Sequence, residues 1–203
     1  MILTIPYNPS LPGGYEKFVA SIMRNGKHPG HTLFVTALPQ HEDGAFDLSM
    51  KLKDYFGRFF AIQVEAPAKP ETPVQASNRA FLAALHALQS YEPLPNEMPE
   101  PVMLYMDPTW RPTKQRWLDE FHTEYYIKGT PVTFGNFEIR GDQARVVGPV
   151  VISRRFLGLT KLLDFLPPDT HWRGFLAWEF INHGLQAEAI GRTLPAYIRP
   201  FDP

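Results

Sequence analysis

The chain has 203 residues, with 20 Lys and Arg against 21 Asp and Glu for a net charge of −1, and it has no cysteine. That removes disulfide scaffolds, Cys-ligated zinc, iron–sulfur clusters and thiol nucleophiles. Near-neutral charge also disfavours a generally basic nucleic-acid binder, though a local basic groove stays open.

At 44% hydrophobic and 13% aromatic residues the chain can bury a core, so its 21 prolines do not signal disorder. A single domain over 1–203 is expected. Residues 1–30 form a lead-in, whose start lacks the apolar run and basic flank of a signal peptide. Within it, Gly13-Gly14 precede a helix, YEKFVASIMRN, with Tyr15, Phe18, Val19, Ile22 and Met23 at helical spacing. His28 and His31, in HPGH, are placed on a loop. HTLFVTAL (31–38) is a buried strand, and PQHEDGAF leads into a helix over about 47–56 with Gly57 at its C-terminus.

RFFAIQVE (58–65) is a second strand. After the loop APAKPETP comes the helix NRAFLAALHAL, and VMLYMD (102–107) is the third strand. Strand–helix–strand–helix–strand is the rhythm of a parallel sheet with right-handed crossovers. A helix over TKQRWLDEFHTEYY follows, with Trp117 in the core. Two strands around Gly141-Asp142 predict a hairpin, then helices FLGLTKLLDFL and HWRGFLAWEFINHGL, then a Pro-rich tail at 191–203. The expected fold is one α/β domain with a mainly parallel central sheet, flanking helices and an antiparallel hairpin addition. No stretch is long and apolar enough to span a membrane, and a cytoplasmic protein is expected.

In open α/β sheets ligands sit at the carboxyl ends of strands, which singles out Gln40, His41, Glu65 and Asp107. Asp107 follows VMLYM and precedes Pro108. It either caps that turn or holds a metal or a sugar hydroxyl. Glu179 and His183 stand four residues apart, on one helix face. They read as a surface ion pair, or as a base and its neighbour, with His183 also a metal-ligand candidate. Trp110, in a loop, is a candidate for lining a site, and Arg154-Arg155 are by default solvated charges. Phosphate-loop, dinucleotide-fingerprint and nucleophile-elbow motifs are absent.

Several segments together resemble nucleotide-sugar glycosyltransferases with the family A fold, over about 31–190. They are Ala76-Ser77-Asn78-Arg79 at a helix start, Val102 to Asp107 as the strand ending in the metal motif, and Pro112 with Trp117-Leu118. Gly148 to Leu157 is similar to the strand and helix before the acceptor site. Leu176-Ala177-Trp178-Glu179-Phe180 is similar to the acidic helix of inverting members.

The resemblance implies transfer of a sugar from a nucleoside-diphosphate donor to a hydroxyl acceptor, and the compact chain suits a glycan, a protein or a modified DNA base in that place. Gln40, His41 and Glu65 would lie at the nucleotide, with Asn78, Arg79, Trp110 and Arg111 also on the donor. Asp107 would sit at the diphosphate with Mn2+ or Mg2+, and Glu179 would be the base. The second Asp of the metal motif is missing, since Asp107-Pro108-Thr109 keeps the first alone. Arg79, Arg111 and Lys114 are the cations expected to supplement or replace the metal. A DNA acceptor would require a groove formed by Arg111, Lys114, Arg116, Arg154 and Arg155. The missing Asp also leaves open an inactive domain of this type, serving as a binding or structural module.

Overall fold

The structure is a computed structural model of the chain and describes residues 1–8, 14–95, 97–98, 100–128, 132–140, 143–159, 162–182 and 198–200. In chain order it runs β1 (Ile2–Tyr7), α1 (Gly14–Arg24), β2 (His28–Ala37), α2 (Glu42–Leu52), β3 (Phe56–Gln63), α3 (Pro73–Ser90) and β4 (Val102–Tyr105). Then follow β5 (Trp110–Pro112), α4 (Trp117–Lys128), β6 (Val132–Arg140), β7 (Gln143–Ser153), α5 (Arg154–Leu159), α6 (Trp172–Asn182) and β8 (Ile198–Pro200).

Six strands form one sheet in the order β3-β2-β1-β4-β7-β6. The first four are mutually parallel, and the β6–β7 hairpin joins antiparallel through β4. Both faces are covered, as a parallel sheet requires. Side chains alternate along each strand. Leu3, Ile5, Leu33, Val35 and Leu104 turn to one core with α1, α2 and α4, while Ile2, Phe34, Met103, Val150 and Ile152 turn to a second core with α3, α5 and α6. Trp117 is fully buried in the first core, as its place on a helix led one to expect.

The start of α3 has a local cause. Thr72 accepts a hydrogen bond from the Gln75 N–H while the Gln75 side chain accepts from the Thr72 N–H, with Pro73 at the first helical position. This reciprocal cap satisfies two donors that a helix start leaves orphaned. The helix therefore begins five residues before Asn78.

Four expectations are corrected. The lead-in contains β1, which lies between β2 and β4 in the middle of the sheet. HPGH is no loop, since β2 begins at His28, and His28 and His31 are both buried. Gly57 lies inside β3, where a side-chain carbon would collide with the Pro29 carbonyl oxygen, so the close approach of two backbones and no helix cap accounts for the glycine. Part of the expected tail forms β8, which pairs antiparallel with β5 in a separate two-stranded ribbon, Trp110 opposite Pro200 and Arg111 opposite Arg199. The expected turn at Gly141-Asp142 lies outside the described residues.

Candidate active site

Chain direction through the sheet reverses around β1: the path goes first to β2 and β3 on one side, then to β4 on the other. A cleft forms at such a switch point, beyond the carboxyl ends of the strands, and Asp107 stands there, two residues after β4. The Trp110 N–H donates to the Asp107 carbonyl at 3.2 Å, closing a tight turn with Pro108 at its second position. Asp107 Oδ1 accepts from the Thr109 N–H at 3.1 Å and from the Thr109 hydroxyl. One carboxylate oxygen thus holds the turn.

The other oxygen faces Arg173, with Nη2 3.7 Å from Asp107 Oδ2. Arg173 lies in the first turn of α6, far from Asp107 in sequence. Its Nη1 donates to the Gly148 carbonyl at 2.7 Å, and its guanidinium carbon lies 4.4 Å from the Trp172 ring centroid. Gly148 has φ of 83°, a left-handed conformation that glycine adopts without strain. It sits where the β6–β7 register shifts, between Phe134 and Asn136 on the facing strand. This bulge presents the carbonyl that holds Arg173. Burial is the main influence lowering the guanidinium's pKa, and the Asp107 carboxylate opposes it.

Asn78 fixes the start of α6. Its Nδ2 donates to the Thr170 carbonyl and its Oδ1 accepts from the Trp172 N–H, both at 2.8 Å. A buried side chain of α3 thereby satisfies a donor that the first turn of α6 would otherwise leave orphaned. His171 Nδ1 accepts from the Arg173 N–H at 3.2 Å. Burial, chiefly, pulls the His171 pKa below its ordinary 6.5, so the ring is neutral near pH 7.

Arg173 also lines a cleft of about 730 Å3, shared with Arg145, Asp169, His171 and Trp178. Trp178 is 55% exposed yet held by stacking on Phe175, ring centroids 5.7 Å apart. A positioned, exposed aromatic ring among polar groups is the usual lining of a small-molecule site.

The sequence-predicted residues fall into separate groups. Gln40 is exposed and His41 half-buried on a short turn after β2, and Glu65 is exposed just past β3. They share an end of the sheet, but β3 stands three strand spacings from β4, about 14 Å. Arg79 is paired in bidentate fashion with Glu71, and Lys114 pairs with Glu120 at 2.6 Å. Trp110 and Arg111 stand on β5, with Trp110 packed against the first core. Glu179 is 3% exposed, on the helix side it shares with Trp172 and Leu176, and so is no surface ion pair. His183 lies outside the described residues. Arg173 was not foreseen, because a lone Arg in a helix carries no motif.

A divalent cation at Asp107 fits these residues poorly. Oδ1 already takes two hydrogen bonds and Oδ2 faces a guanidinium, while Thr109 stands where the second carboxylate of a metal motif would be. Among the described residues no group of three His, Asp or Glu side chains is placed to hold a metal ion. Hard divalent ions want several oxygen ligands, and this set supplies one contested carboxylate.

No family model matches the sequence, and no curated protein matches it. Solved structures do. Mouse xyloside xylosyltransferase 1 in its apo form superposes with a TM-score of 0.56 at 13% identity, over 93% of this chain and 83% of that one. A mannosyltransferase from Pyrobaculum calidifontis, in complex with GDP-Man and Mn2+, gives 0.56 at 10% identity, over 93% of this chain and 53% of that one. S. aureus TarS gives 0.54 at 10% identity, over 88% of this chain and 32% of that one. This chain therefore spans about half and a third of the last two. At these identities the likeness is one of architecture: the chain has the fold of the family A nucleotide-sugar glycosyltransferases.

Proposed function

We propose that this protein transfers a sugar from a nucleoside-diphosphate donor to a hydroxyl of a carbohydrate acceptor, with inversion at the anomeric carbon. The observation that carries the reading is the meeting of Asp107 and Arg173 at the switch point, beside the cleft that Arg173 lines. The fold neighbours include sugar transferases, one of them in complex with GDP-Man.

In this reading the acceptor oxygen attacks the anomeric carbon from the side opposite the diphosphate. The bond from that carbon to the diphosphate oxygen breaks, and its electron pair leaves on the diphosphate. The acceptor proton passes to a carboxylate. Asp169 is exposed and lines the cleft, so we assign it that proton; Glu179, implied by resemblance, is buried and off the cleft wall.

Charge selects the acceptor class. Arg145 bonds to Glu138 at 2.9 Å, Arg173 faces Asp107, Asp169 adds a carboxyl group and burial holds the His171 pKa below its ordinary value. The wall offers no excess of positive charge for a phosphate polymer. Nor do all the cations expected at a DNA groove stand together, since Arg111 is on β5, just after Asp107. Arg154 donates to the Leu88 and Tyr91 carbonyls, at the C-terminal end of α3 and at the opposite end of β4 from Asp107. Lys114 and Arg116 pair with Glu120 and Asp119. A neutral pyranose packed on Trp178 suits the cleft better.

Release of nucleoside diphosphate from UDP- and GDP-sugars, with and without a panel of simple glycosides, tests the reading. Turnover is expected with one donor, rising with a glycoside present, and Asp169→Asn is expected to lower kcat about 100-fold or more. No release from any donor, with any glycoside, rejects the assignment. A larger loss in Glu179→Gln than in Asp169→Asn returns the base to Glu179.

A further inference from the structure

We propose that Arg173 takes the place of the divalent cation, its guanidinium receiving the diphosphate of the bound nucleotide. The inference rests on the nucleotide-sugar reading and extends it to the question of how the leaving charge is neutralised.

Four observations converge. Asp107 is the carboxylate at the end of β4, and its Oδ1 is engaged by Thr109, the residue standing where a second metal-binding Asp would be. Arg173 Nη2 lies 3.7 Å from Asp107 Oδ2, close enough for charge attraction and too far for a hydrogen bond, so the contact leaves that nitrogen's donors for a ligand. The guanidinium is held from two further sides, by the Gly148 carbonyl at 2.7 Å and by the Trp172 ring at 4.4 Å. It is therefore positioned before any ligand arrives, which lowers the cost of binding. Finally, it lines the cleft while its side chain is only 20% exposed, so its charge is little screened by water.

A planar, permanently charged fork suits this task, since it can present two parallel N–H groups to phosphate oxygens. Two of the three other cations expected at the diphosphate pair with carboxylates of their own, Arg79 with Glu71 and Lys114 with Glu120. Asp107 then acts as a positioning residue that aims Arg173 and closes the turn.

Calorimetric titration of the intact chain with UDP, GDP and inorganic pyrophosphate, in EDTA and then in Mn2+, decides the matter. At least one of these ligands is expected to bind in EDTA with a Kd within about threefold of that in Mn2+. Arg173→Gln is expected to weaken it by roughly tenfold or more, and more than Asp107→Asn does. Should the Gln variant fail to fold by circular dichroism, Arg173→Lys keeps the charge, loses the fork and is expected to bind about three- to tenfold more weakly. Binding that appears only with Mn2+, or that is lost in Asp107→Asn and kept in Arg173→Gln, overturns the cation replacement and leaves the nucleotide-sugar reading standing. Failure of all three ligands to bind under both conditions overturns both.

Discussion

At the scale of single residues, chemistry that the sequence suggests is redistributed by side-chain contacts. Asp107 has both of the roles open to it, with one oxygen capping its turn and the other facing Arg173. Asn78, expected at the donor, spends its amide on the start of α6, one residue before Arg173. Arg154, expected as a solvated charge, donates to the Leu88 and Tyr91 carbonyls. Such uses are invisible in sequence because each depends on an acceptor supplied by a distant element. Trp178 is the reverse case, an exposed ring that nothing in the core requires. Trp178→Ala is expected to raise the KM for a glycoside acceptor about tenfold while lowering kcat by less, since a stacked sugar loses binding surface before it loses reactivity. Equal acceptor KM in the two proteins, by initial rates at saturating donor, removes Trp178 from the site.

Among elements, the junction of β2 with α4 carries a pH dependence. His28, His31 and His122 lie together there, and His31 Nε2 is 2.9 Å from Asp119 Oδ1. Burial is the leading cause that lowers all three, His31 to about 4 and His122 to about 3, against 6.5 for an ordinary histidine. Between pH 6.5 and about 4 the unfolded chain therefore binds protons that the folded chain refuses. Stability is fully present above pH 6.5 and falls as the pH drops, by at most about 1.4 kcal/mol per pH unit for each titrating ring. Thermal melts from pH 7.5 to pH 5, where most carboxylates remain ionised, are expected to show a falling Tm. His122→Phe is expected to flatten that fall, and an unchanged slope in the variant rules out the histidine origin. The same junction shows why β2 starts at His28: HPGH carries loop-forming Pro and Gly, yet the His28 ring packs on Phe56 and Trp117 at 5.7 and 5.8 Å. Tertiary packing outweighed local turn chemistry.

Over the whole molecule, the charge is balanced in place as well as in sum. The net charge is −1, and Arg145 and Arg173 at the cleft and Lys114 and Arg116 just before α4 each face a carboxylate. The protein is accordingly expected to leave duplex DNA unshifted in gel electrophoresis at about 150 mM salt, whereas a glycoside acceptor should be bound with little salt dependence. A salt-sensitive DNA shift at micromolar protein restores the nucleic-acid acceptor.

The architecture was legible in outline from sequence alone. Apolar runs bounded by turn residues located β2, β3 and β4, and helical spacing most helices, because burial of a strand or helix face acts on residues close in the chain. The helix α3 was expected from NRAFLAALHAL, whereas the Thr72–Gln75 cap starts it at Pro73. Three-residue strands such as β5 and β8 hold no period to read, and β1 escaped because a short apolar stretch with a proline says nothing of its neighbours. The order β3-β2-β1-β4, the bulge at Gly148 and the approach of Arg173 to Asp107 were decided by tertiary structure. The physical reason is range: patterning is a property of neighbours along the chain, whereas a site is made by groups far apart in sequence that meet only once the sheet and both its helical layers have packed.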